Sequence, residues 1–193
     1  MMILMTRRGW IRSIAAAAWL FSLHGCEETS GPKLSGEVKL SSQLFGTESY
    51  YLYGYSFEEG EMYRYPYSGD PVPDIINEGF LVIQGSERIT LPGFNTPGRI
   101  NGFALVGEFS SLEQARAFYE AYQQVESSLQ FETVSDTVRL HQVWVQLTSA
   151  DNYVKLLVKG IREFESESER VNSEVTLEYT YQPDGSGTFA DIY

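Results

Sequence analysis

One cysteine and two histidines are all that 193 residues contain of the side chains most used for soft-metal ligation and nucleophilic catalysis. A single Cys excludes a disulfide inside the chain, and with it a zinc site of the Cys-x-x-Cys type. Basic residues are also scarce, with 14 Lys and Arg against 26 Asp and Glu and a formal charge of −12. Such a chain repels a phosphate backbone, and its only cluster of basic residues is Arg7, Arg8 and Arg12 at the start, so nucleic acid is excluded as a partner. No apolar run approaches the roughly 20 residues a membrane-spanning helix needs. No repeat of 20 to 50 residues is apparent, which argues against solenoids and propellers. Enzyme signatures are missing as well: there is no GxSxG, HExxH, GxxxxGK[ST] or GxGxxG, and a Ser-His-Asp triad has little to draw on for its base. Hydrolysis by a carboxylate pair has acids enough, but no pair is set apart by its surroundings.

What the chain does have begins at its start. Three arginines and no acid precede an apolar run through Ala15–Ala18, Leu20, Phe21 and Leu23, the order of a secretory signal. The run ends in Leu23-His24-Gly25-Cys26, which resembles the lipobox of bacterial lipoproteins, although His24 replaces the usual small residue. The resemblance implies cleavage before Cys26 and lipid on its thiol. Residues 1–25 are then a signal peptide, and removing their three arginines makes the remainder more acidic still. Arg7-Arg8 resembles a twin-arginine signal, but an ordinary basic start is the favoured reading. Glu27-Glu28 after the cysteine is similar to the acidic tract of surface-exposed Bacteroidota lipoproteins and favours the outer membrane of a Gram-negative cell, on its periplasmic or exposed side. Residues 26–36, rich in Glu, Thr, Ser, Gly, Pro and Lys, read as a flexible tether.

Residues 37–193 read as a single β-rich α+β domain, an antiparallel sheet or sandwich of roughly seven to nine strands with one packed helix. Large residues alternate at Tyr51, Tyr53, Tyr55 and Phe57 and again at Tyr63, Tyr65 and Tyr67, across a break at Glu58-Glu59-Gly60. This predicts a hairpin with one aromatic face. Further strands are expected over 38–44, 80–84, 100–109, 138–147, 153–161 and 175–182. Ser110-Ser111-Leu112-Glu113 has capping-box spacing, and Leu112, Ala115, Phe118, Tyr119, Tyr122 and Val125 then recur at helical intervals, predicting an amphipathic helix over about 111–126. Glu163, Glu165, Glu167 and Glu169 alternate with smaller or apolar residues and read as a solvated charge run protecting a sheet edge. Asp184-Gly185-Ser186 reads as a tight turn rather than a calcium loop.

Val143–Leu147, Asp151–Leu156 and Val175–Ser186 resemble the C-terminal strands of the HmuY-like lipoproteins of Bacteroidota. That resemblance implies a surface-anchored β-rich lipoprotein, with haem as a ligand in well-known members. Bis-histidine ligation is out of reach, because only His141 remains once His24 leaves with the signal; Met62 or a tyrosinate would have to supply the second contact. A shorter stretch, Leu105–Ala115, resembles the first strand and helix start of the peptidoglycan-binding SPOR domains. The expected function is therefore a non-enzymatic outer-membrane lipoprotein, without a metal centre or resident cofactor, that binds a ligand or envelope partner. Haem capture, peptidoglycan binding and a purely structural role are the alternatives. Candidate ligand contacts are His141, Tyr51, Tyr53 and Tyr55. The tyrosines would stack on a sugar ring or porphyrin if they faced outward, but alternation with Ser56, Glu61 and Arg64 favours an inward, core position.

Overall fold

The computed structural model describes residues 32–166 and 170–189. Cys26, His24, Glu167 and Glu169 lie outside them. The element order is β1 (Ser35–Ser41), β2 (Leu52–Ser56), β3 (Glu61–Tyr65), β4 (Ile76–Asn77), β5 (Phe80–Gln84), β6 (Glu87–Leu91), β7 (Phe94–Asn95), β8 (Phe103–Glu108), α1 (Leu112–Ala121), β9 (Gln142–Leu147), β10 (Tyr153–Glu165) and β11 (Val171–Gln182). The fold is β-rich α+β with one packed helix. Its frame is a five-stranded antiparallel sheet in the order β1-β11-β10-β9-β8, and the remaining strands form three two-stranded ladders, β2-β3, β4-β7 and β5-β6. None of the described helices is long and apolar enough to cross a membrane.

Period-two alternation explains why the sheet is buried on both sides. Along β11, Val175, Leu177, Tyr179 and Tyr181 point to one face and are buried, while Thr176, Glu178 and Thr180 point to the other. The first face, joined by Val38, Leu40, Phe103, Trp144, Val154 and Leu156, packs against Tyr55, Phe57, Ile75 and Phe94 from the outer ladders and their flanks. The second face meets the helix, with Val143 and Leu157 against Ala115 and Tyr119 and flanked by Val106, Phe109, Leu112 and Phe118. The helical periodicity of the sequence therefore marks the surface that packs.

The ends of the helix differ from expectation. Ser111, not Ser110, is the cap: its hydroxyl accepts from the Gln114 backbone N–H at 3.3 Å, whereas the Ser110 hydroxyl donates to Gln114 Oε1 at 2.8 Å. The helix also stops at Ala121 instead of running to 126. Beyond it the backbone is drawn into pairing with the C-terminal segment, Val125 N–H donating to Gly187 O at 2.7 Å and Phe189 N–H to Gln123 O at 3.0 Å. The freed helix carbonyls of Tyr119 and Tyr122 are taken by Lys155 Nζ, at 2.6 and 2.9 Å.

Strand limits shift too. β1 starts at Ser35, inside the stretch read as tether. β9 starts at Gln142, because His141 sits at φ 65 in the turn before it. β10 runs on to Glu165, and its exposed Glu163 and Glu165 lie past Leu157, where its pairing with β9 ends. Three strands escaped the periodicity: β4 and β7 have two residues each, and β6 follows β5 across Gly85-Ser86, where Gly85 takes φ 65.

Beneath the hairpin a carboxylate is buried. Asp74, 6% exposed, accepts from the Phe57 backbone N–H at 2.9 Å, and burial pushes its pKa up. A raised folded-state pKa means that the stabilising share is complete below the unfolded value and is lost as pH rises through the folded one. Asp74→Asn, which keeps an acceptor for Phe57, is therefore expected to be at least as stable as the parent at pH 7, with the difference shrinking toward pH 4 in urea titrations.

Candidate functional site: an aromatic face at the open end of a hairpin

The β2-β3 register decides where the tyrosines go. Tyr53 pairs with Arg64 and Tyr55 with Met62. Opposed residues of an antiparallel pair share a face, so Arg64 and Met62 lie with Tyr51, Tyr53 and Tyr55, while Tyr63 and Tyr65 fall on the opposite face. The expected single aromatic face is thus two faces, and Arg64, read from the sequence as the polar back of the hairpin, is at the centre of one of them.

That face divides along its length. Tyr55 is core: its hydroxyl is 2.8 Å from that of Tyr179, and its ring packs on Phe57 and Tyr179. Tyr53 is 38% exposed, and Tyr51 is half-buried. These two pack edge to face with centroids 5.7 Å apart and are joined by Phe45, 5.8 Å from Tyr51 and 5.5 Å from Tyr53. The inward reading therefore holds for Tyr55 and fails for Tyr53. The close approach of the hairpin to its support depends on Gly54, where a Cβ would meet Ile75 O at 2.6 Å and Ile76 Cγ2 at 2.5 Å.

Arg64 organises the exposed part. Its guanidinium lies over the Tyr67 ring, 3.6 Å from the centroid, and 6.0 Å from that of Tyr51. Asp70 clamps it from the side, accepting from Nε at 2.8 Å and Nη2 at 3.0 Å, and also accepts from the Arg64 backbone N–H at 3.1 Å. Hydrogen bonding to Arg64 holds the Asp70 carboxyl below its usual range, and the same bonds raise the guanidinium. Desolvation, with Tyr53 as a hydrogen-bonding neighbour, pushes the Tyr51 phenol up. Neither partner of the pair titrates between about pH 5 and about pH 9, so ligand binding here is expected to be flat across that interval in a pH series. A cavity of about 390 Å³ opens beside the pair, lined by Arg64, Tyr65, Pro66, Tyr67, Pro71 and Val72.

A second cleft of about 390 Å³ runs between α1 and the β1-β11 edge. Most of its charged side chains are engaged. Arg116 grips Glu178 through two hydrogen bonds of 3.1 and 2.8 Å, and Lys159 bridges Glu37 at 2.8 Å and Glu178 at 3.4 Å. Lys155, 3% exposed, is spent on the helix carbonyls and lies 4.5 Å from the Tyr119 ring centroid. This set of contacts fastens the helix to the sheet.

His141 stands apart from the tyrosines. It is half-buried, its backbone N–H donates to Val158 O at 3.0 Å, and among the described residues no hydrogen bond or ring contact joins it to Tyr51, Tyr53 or Tyr55. No group of three or more His, Cys, Asp and Glu side chains among the described residues is arranged to hold a metal ion. Reasoning from the sequence missed Phe45, Arg64, Tyr67 and Asp70. A signal existed in Pro66 and Pro71, which bracket a short loop that returns Asp70 to Arg64. No family model matches the chain, and no curated protein matches it.

Proposed function

We propose that the chain is an outer-membrane lipoprotein of a Gram-negative cell, held by lipid on Cys26, whose domain binds a ligand at the Tyr53–Arg64–Tyr67 face without transforming it. The observation that carries this reading is that the face lies at the end of the hairpin away from Lys33 and Leu34, near the start of the described residues. The β2-β3 turn lies by the tether, with Gly60 facing the Lys33 side chain, and Phe57 stacks on Tyr181, whose backbone N–H donates to Leu34 O at 2.7 Å. The other end of the hairpin follows the far end of β1, where Phe45 and Tyr51 exchange backbone hydrogen bonds of 2.8 and 3.0 Å. A strand of seven residues separates the two ends by about 20 Å. A lipid at Cys26 would thus tether the domain through the end opposite the aromatic face, which leaves that face free to meet a ligand. The scarcity of catalytic motifs in the sequence supports binding over catalysis, and the HmuY-like strand resemblance supports the surface-anchored reading.

The anchoring half is tested by expressing the full chain in a Gram-negative host with radiolabelled palmitate. Label on the parent, absent from Cys26→Ala, is the expected result. A parent that takes up no label, or a variant that keeps it, would contradict the proposal.

A further inference from the structure

Resting on the reading of this face as a ligand site, we infer that its ligand is a neutral sugar ring, stacked on Tyr67 and Tyr53 and hydrogen-bonded through its hydroxyls to the Arg64–Asp70 pair. Four observations lead there. First, the charges cancel: Arg64 and Asp70 are bound to each other through two parallel hydrogen bonds, so the site offers no net charge to select an anion or a cation. Second, what the pair offers is polar but neutral overall. A guanidinium carries five N–H donors, of which Asp70 takes two, and the carboxylate keeps acceptor capacity beyond those bonds. Donors and acceptors side by side, at fixed spacing, suit adjacent hydroxyl groups, each of which both gives and receives a hydrogen bond.

Third, the flanking surfaces are flat and amphipathic. Tyr67 is 48% exposed and Tyr53 38%, and each presents an apolar ring with a polar tip, matching a sugar with its C–H face and hydroxyl edge. Fourth, the site is preorganised, because Arg64 is fixed by the Tyr67 ring beneath and Asp70 beside it, so little ordering is needed on binding. The adjoining cavity, about 390 Å³, lies at the small end of the range for small-molecule sites, roughly 300–1,000 Å³. It suits one or two sugar units rather than a large planar ring. A protein carrying −12 would also repel acidic polysaccharides, which leaves neutral ones as the favoured class.

The test is native gel electrophoresis of the detergent-solubilised full chain through gels containing laminarin, mannan, xyloglucan or dextran, with polygalacturonate as the anionic comparison and haemin and decaproline added as soluble competitors. Retardation by at least one neutral polysaccharide is expected, together with at least a tenfold weakening in Tyr67→Ala, near-parental binding in Tyr67→Phe and no change in Lys39→Ala, which lies in another cleft. Circular dichroism of Tyr67→Ala should match the parent, since the side chain is half in solvent. Retardation by none of the neutral polysaccharides, or equal retardation of parent and Tyr67→Ala, would overturn the sugar proposal. If haemin or decaproline binds instead and Tyr67→Ala abolishes it, the sugar class is wrong and the ligand-binding face stands. If Tyr67→Ala changes the binding of no probe, both fall.

Discussion

Phe57→Ala is expected to cost about 3–5 kcal/mol of folding stability and to loosen the whole β2-β3 hairpin. The side chain is fully buried, and its ring lies 5.2 Å from Tyr55, 5.1 Å from Tyr179 and 6.1 Å from Tyr181. Truncation removes one ring from a four-ring cluster that joins the hairpin to the central sheet. The space left is walled by Tyr179 and Tyr181 of β11 and cannot collapse without moving a strand paired on both sides within the five-stranded sheet. Chemical denaturation monitored by tyrosine near-ultraviolet circular dichroism would register both effects. A loss below about 1 kcal/mol would mean that the outer ladder is held by contacts other than these.

Lys155→Met carries the next largest expected effect, about 1.5–3 kcal/mol at pH 7. The substitution keeps the apolar stem but leaves the Tyr119 and Tyr122 carbonyls at the end of α1 without their donor. Burial lowers the Lys155 pKa to about 8, against about 10.4 in an unfolded chain. A depressed folded-state pKa gives stability that is complete above the unfolded value and lost as pH falls through the folded one. Between about pH 8 and about pH 10.4 the unfolded chain binds a proton that the folded one does not, so the parent gains on the variant as pH rises. The gap between them should therefore be wider at pH 10 than at pH 7. An equal gap at both pH values would show that Lys155 remains charged throughout.

The sequence displayed those parts of the fold that depend on local repetition. Alternation along Val175–Gln182 identified β11, and the Thr148–Asn152 turn joins β9 to β10 with Asp151 at φ 63, the geometry expected for Asp or Asn. The helix was legible from its apolar stripe, and its start to within one residue from Ser110-Ser111. Its C-terminal end was not, because that end is set by Lys155, 36 residues from Tyr119, and by pairing with residues 187–189. The two-residue strands β4 and β7 are equally illegible, since each exists only through its distant partner.

The candidate site shows the same division. Alternating tyrosines marked the hairpin that carries the proposed site, but periodicity cannot say which residue of β3 opposes Tyr53, and the register alone brings Arg64 beside it. Nor can it say that Tyr55 sinks into the core while Tyr53, two residues earlier, overhangs its edge. His141, chosen for its chemistry, lies in a turn governed by the pairing of its own neighbours. Residue type located the region, and tertiary pairing assembled the face.

The most direct test of the account is a titration of the full chain, carrying ring-labelled tyrosine, with an oligosaccharide cut from the neutral polysaccharide that retards it most, followed by nuclear magnetic resonance of the tyrosine rings. Saturable shifts at Tyr53 and Tyr67, with Tyr179 and Tyr181 unmoved, are the result the account predicts. Rings of Tyr53 and Tyr67 that stay fixed at every concentration, whether or not other tyrosines respond, would contradict it.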